Sequence, residues 1–157
     1  METLQDFEMA REERLWDGVS LWCSQRAQGG IYLLGYHAEM TLKSAYFRLT
    51  GLSIAKPIDR YVLQTALGKA KLLGVSTPHE GYHGLRFWCD LLVAERSARG
   101  IPLPSPLLNI LTHQVDIISS RWSVEMRYRT PSTRPLDLES TVTAVDWLDR
   151  NFVLLYT

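Results

Sequence analysis

Net charge is what this chain has least of: seventeen basic residues meet seventeen acidic ones and leave a formal charge of zero at pH 7. No global field remains to gather nucleic acid or an anionic membrane, so any anion site must be built locally. Cysteine is scarce too. Cys23 and Cys89 stand alone, neither in a C-x-x-C pair, which gives no support to a metal or redox role, and both are read as reduced core thiols. No apolar run approaches the length of a membrane span. The opening METLQDFEMAREER is acidic and polar where a signal peptide would be basic and then apolar, so a cytoplasmic protein with no membrane partner is expected. Internal repeats, low-complexity segments and competitive strand candidates are all missing.

What the chain does have is ordinary globular composition, with 46% hydrophobic and 22% charged residues among 157. That is enough to bury a core without disulfide staples, and a single domain over 1–157 is expected. Apolar periodicity predicts helices almost throughout. The first spans about Leu4 to Arg26, with Phe7, Leu15, Val19 and Trp22 inward, and Gly29-Gly30 ends it. A second runs from about Ile31 to Thr50, with Gly51 placed as a left-handed cap. The third, roughly Asp59 to Leu73, closes at Gly74. The fourth, about His83 to Arg99, buries Leu85, Trp88, Cys89 and Leu92 before Gly100. Ser105-Pro106 opens a fifth that continues to about Tyr128, with Leu108, Leu111, Val115, Ile118, Trp122 and Met126 in one stripe. The last covers about Leu138 to Leu155. The fold class is therefore an all-α bundle of five to six helices.

One stretch invites a catalytic reading. PHEGYHGL contains His79-Glu80-x-x-His83, the residue order of zinc metalloproteases, in which two histidines one helical turn apart hold the metal and the glutamate activates its water. The order is badly placed here: Pro78 precedes it, Gly81 interrupts it and Gly84 follows it, which describes a loop and the entry of the fourth helix. In the longer form of the motif a glycine and a third histidine follow, and this chain has Arg86 and Cys89 there. Glu95 and His113 sit in no second motif. A zinc-dependent hydrolase using His79 and His83 is thus a minor alternative, and no metal or cofactor is expected. A Gly-rich phosphate loop, a serine nucleophile elbow and paired catalytic carboxylates are likewise missing.

The second helix carries more. Ile31, Leu34, Ala38, Leu42, Ala45 and Leu49 fall on one face as a core stripe. His37, Thr41, Ser44 and Arg48 form a narrow polar stripe that is assigned to solvent. Tyr32, Tyr36, Glu39, Lys43 and Tyr46 occupy the side away from that stripe, with Glu39 and Lys43 an i,i+4 pair in the favourable order. A surface ion pair is the plain account of the two. The three tyrosines instead point to cover by another helix or a second subunit, and Gly35 and Ala38 would permit close approach.

GYHAEMTLKSAYFRLTG resembles the G-Y-x-x-E-x-x-L-K signature that opens the second helix of HEPN domains, through Gly35, Tyr36, Glu39, Leu42 and Lys43. RWSVEMRYR resembles the W-x-x-E-x-R-Y segment of the same group, through Trp122, Glu125, Arg127 and Tyr128, and HGLRFWCDLL resembles its helix after a His-containing entry. The resemblance implies a HEPN-like bundle, a homodimer, and partner proteins of the toxin–antitoxin or defence kind. It also implies metal-independent RNA cleavage by an Arg followed, after four to six intervening residues, by a His. No Arg of this chain meets His37, His79, His83 or His113 at that interval, and after Arg121 one of the eligible positions holds Arg127. Arginine stays charged and cannot shuttle protons near neutral pH. The ribonuclease role survives only with a displaced base.

Arg121, Arg127, Arg129 and Arg134 make a local positive patch with Glu125 as its only acid. On a continuous helix Arg121, Glu125 and Arg129 form an i,i+4,i+8 salt-bridge ladder that complements the helix end. In the functional alternative the patch meets a phosphate of a nucleotide or RNA, with Tyr128 stacking a base. The expectation is a HEPN-like binding or regulatory module without demonstrable catalysis, whose ligand site gathers Tyr36, Glu39, Lys43, Arg121, Glu125, Arg127, Tyr128 and Arg129.

Overall fold

Thr3 starts the first helix with a reciprocal cap: its hydroxyl accepts from the Asp6 backbone N–H at 3.2 Å, and the Asp6 carboxylate accepts from the Thr3 N–H at 2.9 Å. The computed structural model describes residues 3–77, 82–128 and 134–157, and its helices are α1 (Leu4–Cys23), α2 (Ala27–Leu49), α3 (Arg60–Leu72), α4 (Leu85–Ala98), α5 (Ser105–Ser119), α6 (Pro135–Arg150) and α7 (Phe152–Tyr156). A 3-10 turn, Val124–Tyr128, lies between α5 and α6. The only extended pairing among the described residues is an isolated bridge between Thr3 and Pro57. The protein is all-α, and no helix among the described residues is long and apolar enough to cross a membrane.

The core is built around α2. The expected stripe of Ile31, Leu34, Ala38, Leu42, Ala45 and Leu49 is buried, and α1, α4, α6 and α7 all pack on this helix. The polar stripe assigned to solvent is not solvated. His37, Thr41 and Ser44 are fully buried, because α1 and α6 close over them. The His37 Nδ1–H donates to the Arg11 carbonyl at 2.9 Å, since a carbonyl can only accept, and Nε2 lies 3.4 Å from the Asp149 carboxylate. Arg48 is part-buried and grips Glu8 of α1 with both ends of its guanidinium. Amphipathicity misleads for a central helix, where specific partners replace water on the polar side.

Small residues let the helices approach. A Cβ at Gly18 would lie 2.7 Å from Leu34, and one at Gly30 would lie 3.0 Å from Leu138. Gly29-Gly30 therefore does not end α1 but sits inside the first turns of α2, where bulk is excluded. The chain turns instead at Ser24–Arg26, with Gln25 at φ 58°. Gly51, Gly74 and Gly100 do carry the left-handed conformation expected of helix-ending glycines, at φ 79°, 72° and 74°.

Other boundaries move for similar reasons. The Asp59 side chain caps α3 by accepting from the Val62 N–H at 2.9 Å. The fifth helix stops at Ser119 rather than near Tyr128, although Trp122 and Met126 are still buried through the following turn. The last helix breaks at Asn151 into α6 and α7. Arg96, buried in α4, donates to the Leu155 carbonyl at 3.1 Å near the end of α7. Trp88 fills the centre with Tyr46, Phe47 and Phe87 around it. Two inward assignments are corrected: Trp22 is 39% exposed and Cys23 is exposed, and in this last turn of α1 it is Leu21 that packs on Gly29 at the start of α2.

Candidate functional site

Tyr36, Glu39 and Lys43 rise from one side of α2 at i, i+3 and i+7, as helical geometry requires. Glu39 is 1% exposed, and a carboxylate at that depth demands partners. Lys43, also buried, engages Oε1 from one turn on, and its ammonium lies 5.3 Å from the centroid of the Trp88 ring. The second partner comes from far along the chain. His83, in the entry to α4, brings Nδ1 to 3.0 Å from Oε1 and 3.3 Å from Oε2.

These contacts set the protonation pattern. Burial pushes the Glu39 carboxyl upward, but the His83 hydrogen bond and the Lys43 charge outweigh it and hold the group below the usual carboxylate range. Glu39 is therefore ionised at neutral pH and only accepts. It follows that His83 donates through Nδ1–H, and its Nε2 makes no hydrogen bond among the described residues. The imidazole side chain is 44% exposed.

The three residues form one wall of a cleft of about 470 Å³ between α1, α2 and the α4 entry. Phe7, Ala10 and Met40 give it apolar surface, and Arg14 adds a second cation, which pairs with Asp17 at 3.6 Å on an exposed surface. Tyr32 and Tyr36 supply rings, edge to face at 5.0 Å with their hydroxyls 3.3 Å apart. Tyr36 in turn meets His83 at 6.4 Å and Trp122 at 5.4 Å between ring centroids. The whole aromatic row is seated by Gly35: a Cβ there would fall within the Trp122 indole, whose N–H donates to the Tyr32 carbonyl at 3.0 Å.

Of the residues expected in one site, the structure groups Tyr36, Glu39 and Lys43. Arg121 turns the other way. Its Nε lies 3.4 Å from Asp137 of α6 and its Nη1 donates to the Ile117 carbonyl at 2.9 Å. The continuous helix that the i,i+4,i+8 ladder presupposes is not there, because α5 ends at Ser119 and Glu125 falls in the 3-10 turn. Glu125 and Tyr128 are exposed there, Arg127 belongs to the same turn, and Arg129 lies outside the described residues. What this segment brings to α2 is Trp122 and the Met126 carbonyl, which accepts from Gln28 Nε2 at 3.0 Å, and not Arg121.

His79 and Glu80 of the zinc-like order also lie outside the described residues, while the Nδ1 of His83 is taken by Glu39. The role of His83 as partner to Glu39 was not legible in sequence, since 44 residues separate them. Arg14 was missed because its helix was read only for its inward stripe, and Phe7, named in that stripe as core, lines the cleft. A second polar cluster, Arg11, His37 and Asp149, is structural: His37 has no exposed surface, and Arg11 lies 3.5 Å from Asp149 and 4.3 Å from the centroid of the Phe152 ring. Comparison of the chain with family models, curated proteins and solved structures gives no match.

Proposed function

We propose that this protein is a HEPN-like binding module for a phosphate-bearing ligand, a nucleotide or RNA, and that the cleft over Glu39, Lys43 and His83 takes it. The observation that carries the reading is internal neutralisation. Glu39 is spent on Lys43 and His83, so it orients their donors, and Arg14 and the remaining N–H groups of Lys43 stay available to an anion. Tyr32 and Tyr36 offer ring surface to a base. Titration calorimetry with short RNA and with nucleotides tests it: Arg14→Ala should weaken binding and rising salt should weaken it further, whereas equal affinity in both proteins removes the cleft from the reading. Assembly as a homodimer is part of the same proposal and is tested by sedimentation velocity.

One observation favours a second reading, the metal-independent ribonuclease with a displaced base. An ionised carboxylate holding Nδ1–H leaves Nε2 as a proton acceptor, the arrangement a general base needs. His83 would take the proton of a ribose 2′-hydroxyl as that oxygen attacks phosphorus, and would return it to the departing 5′-oxygen. Glu39 would be a positioning residue and Lys43 would stabilise charge on the phosphoryl oxygens. Cleavage of RNA that persists in chelator and is lost in His83→Ala supports this reading; no cleavage by the wild-type protein returns the site to binding alone.

A further inference from the structure

A second groove lies on another side of α2, bounded by α3 and the end of α4, and it is independent of the cleft described above. α3 buries only Ala66 and Ala70 among its residues. Small side chains on its inner face leave the space between it and α2 unfilled, an opening of about 400 Å³. Phe47, Leu52, Val62 and Ala66 line it with apolar surface, and the buried Tyr46 ring adds to the floor. Its size and its apolar walls with a few converging polar groups are those of a small-molecule site.

The polar groups gather at one end around Glu95, which is 3% exposed. Arg99 donates from Nε to Oε1 at 2.7 Å. Oε2 has no hydrogen bond, and the Lys69 ammonium stands 3.5 Å from it. One carboxylate is thus faced by two cations, and Lys56 adds a third on the lining. The Arg99 guanidinium spends only Nε on Glu95, so its terminal amino groups remain for a ligand. Burial and then the Glu95 charge push the Tyr46 phenol up to about 12, so it stays a neutral donor. Lys69 and Arg99 are partly exposed and reach the groove from its rim.

We infer that the groove between α2, α3 and α4 binds a small organic monocarboxylate with an apolar body, its head on Arg99 and Lys69 and its body against Phe47, Leu52 and Val62. Glu95 acts as a positioning residue that holds the two cations. The surplus of positive charge excludes an amine head. Glu95 offsets one of the two cations it holds, so this trio keeps a single net positive charge, which one carboxylate head balances. The apolar walls require a body that gains by leaving water.

Titration calorimetry with octanoate, octylamine, octanol and an acetylated peptide ending in leucine tests the assignment on the whole protein. Octanoate should bind with one-to-one stoichiometry, and octylamine and octanol should not. Arg99→Gln should weaken octanoate by about tenfold through loss of a charge-assisted contact. Ala66→Leu should abolish the binding by filling the groove. Arg99→Gln alters a partly exposed side chain, and its melting temperature, measured alongside, establishes that it is folded. No octanoate binding, equal binding of octanoate and octylamine, or unchanged affinity in Arg99→Gln would overturn the inference. Tighter binding of the peptide than of octanoate would replace the small molecule with a chain terminus and overturn it as well.

Discussion

The Glu39 carboxylate and the His83 imidazole, 44 residues apart in the chain, meet at 3.0 Å, with the carboxylate buried and the imidazole 44% exposed. One partner is fixed by α2 and the other is carried to it by the entry of α4. Lys43 completes the charge balance from within α2. The depth of Glu39 makes the arrangement a stability problem as well as a functional one. An ion buried this far is tolerable only while its partners stay in place.

Glu39→Gln should therefore cost about 3 kcal/mol, because Lys43 is left buried without its counter-charge. Glu39→Gln combined with Lys43→Met should recover a large part of that loss. Urea unfolding of the two variants measures both effects. A single mutant as stable as the wild type would mean that water reaches Lys43.

Acid should weaken the fold through two of its part-buried or buried carboxylates in particular, Asp149 and Glu39. His37's hydrogen bond is the main reason that the Asp149 carboxyl lies below its usual range, and Glu39 is held low by His83 and Lys43 against the opposing effect of burial. A folded-state pKa below the unfolded one stabilises fully above the unfolded value, about 4, and the contribution is lost as pH falls through the folded value. Stability measured by denaturant should be level with respect to these groups from neutral pH down to about 5 and should fall below about 4. Asp149→Asn should flatten that fall. An unchanged slope would remove Asp149 from the acid response.

Two glycines should respond in opposite directions. Gly35→Ala drives a methyl into the Trp122 ring and should cost about 2 kcal/mol or more. Gly68, exposed in the middle of α3, has open space around its Cβ position, so Gly68→Ala should gain up to about 1 kcal/mol from helix propensity. Thermal melts of the pair decide it, and a Gly35→Ala protein with wild-type stability would contradict the seating of Trp122.

The two thiols should separate cleanly. Cys23 is exposed and should react at once with a thiol reagent in native buffer. Cys89 is buried, and burial is the main cause that pushes its thiol up to about 12, so it should react only on unfolding. Mass spectrometry of the native protein should find a single label, on Cys23.

Much of the fold was readable because its signals are local. The apolar stripe of α2, the extent of α3 and the helix-ending glycines at 51, 74 and 100 depend on spacing and backbone conformation within one or two turns. What could not be read depends on neighbours. Gly29-Gly30 looks like a helix end until α6 is known to press Leu138 against Gly30. The His37 stripe looks solvated until Arg11 and Asp149 arrive from α1 and α6. Trp122 and Met126 keep helical spacing and are buried, yet the helix has already ended, so their periodicity extended α5 too far. The candidate site divides in the same way. Tyr36, Glu39 and Lys43 share one helix and were found together, whereas His83 and Arg14 come from other elements and were not.

The most direct measurement of the proposed cleft is the nitrogen-15 spectrum of the His83 side chain during titration with a short RNA and with a nucleotide. Before ligand is added, the Nδ1 of His83 should carry the proton that Glu39 holds. On titration its Nε2 resonance should move along a saturating curve, and Arg14→Ala should shift that curve to higher ligand concentration. A His83 resonance that stays fixed while ligand binds elsewhere, or no binding of either ligand, would contradict the account.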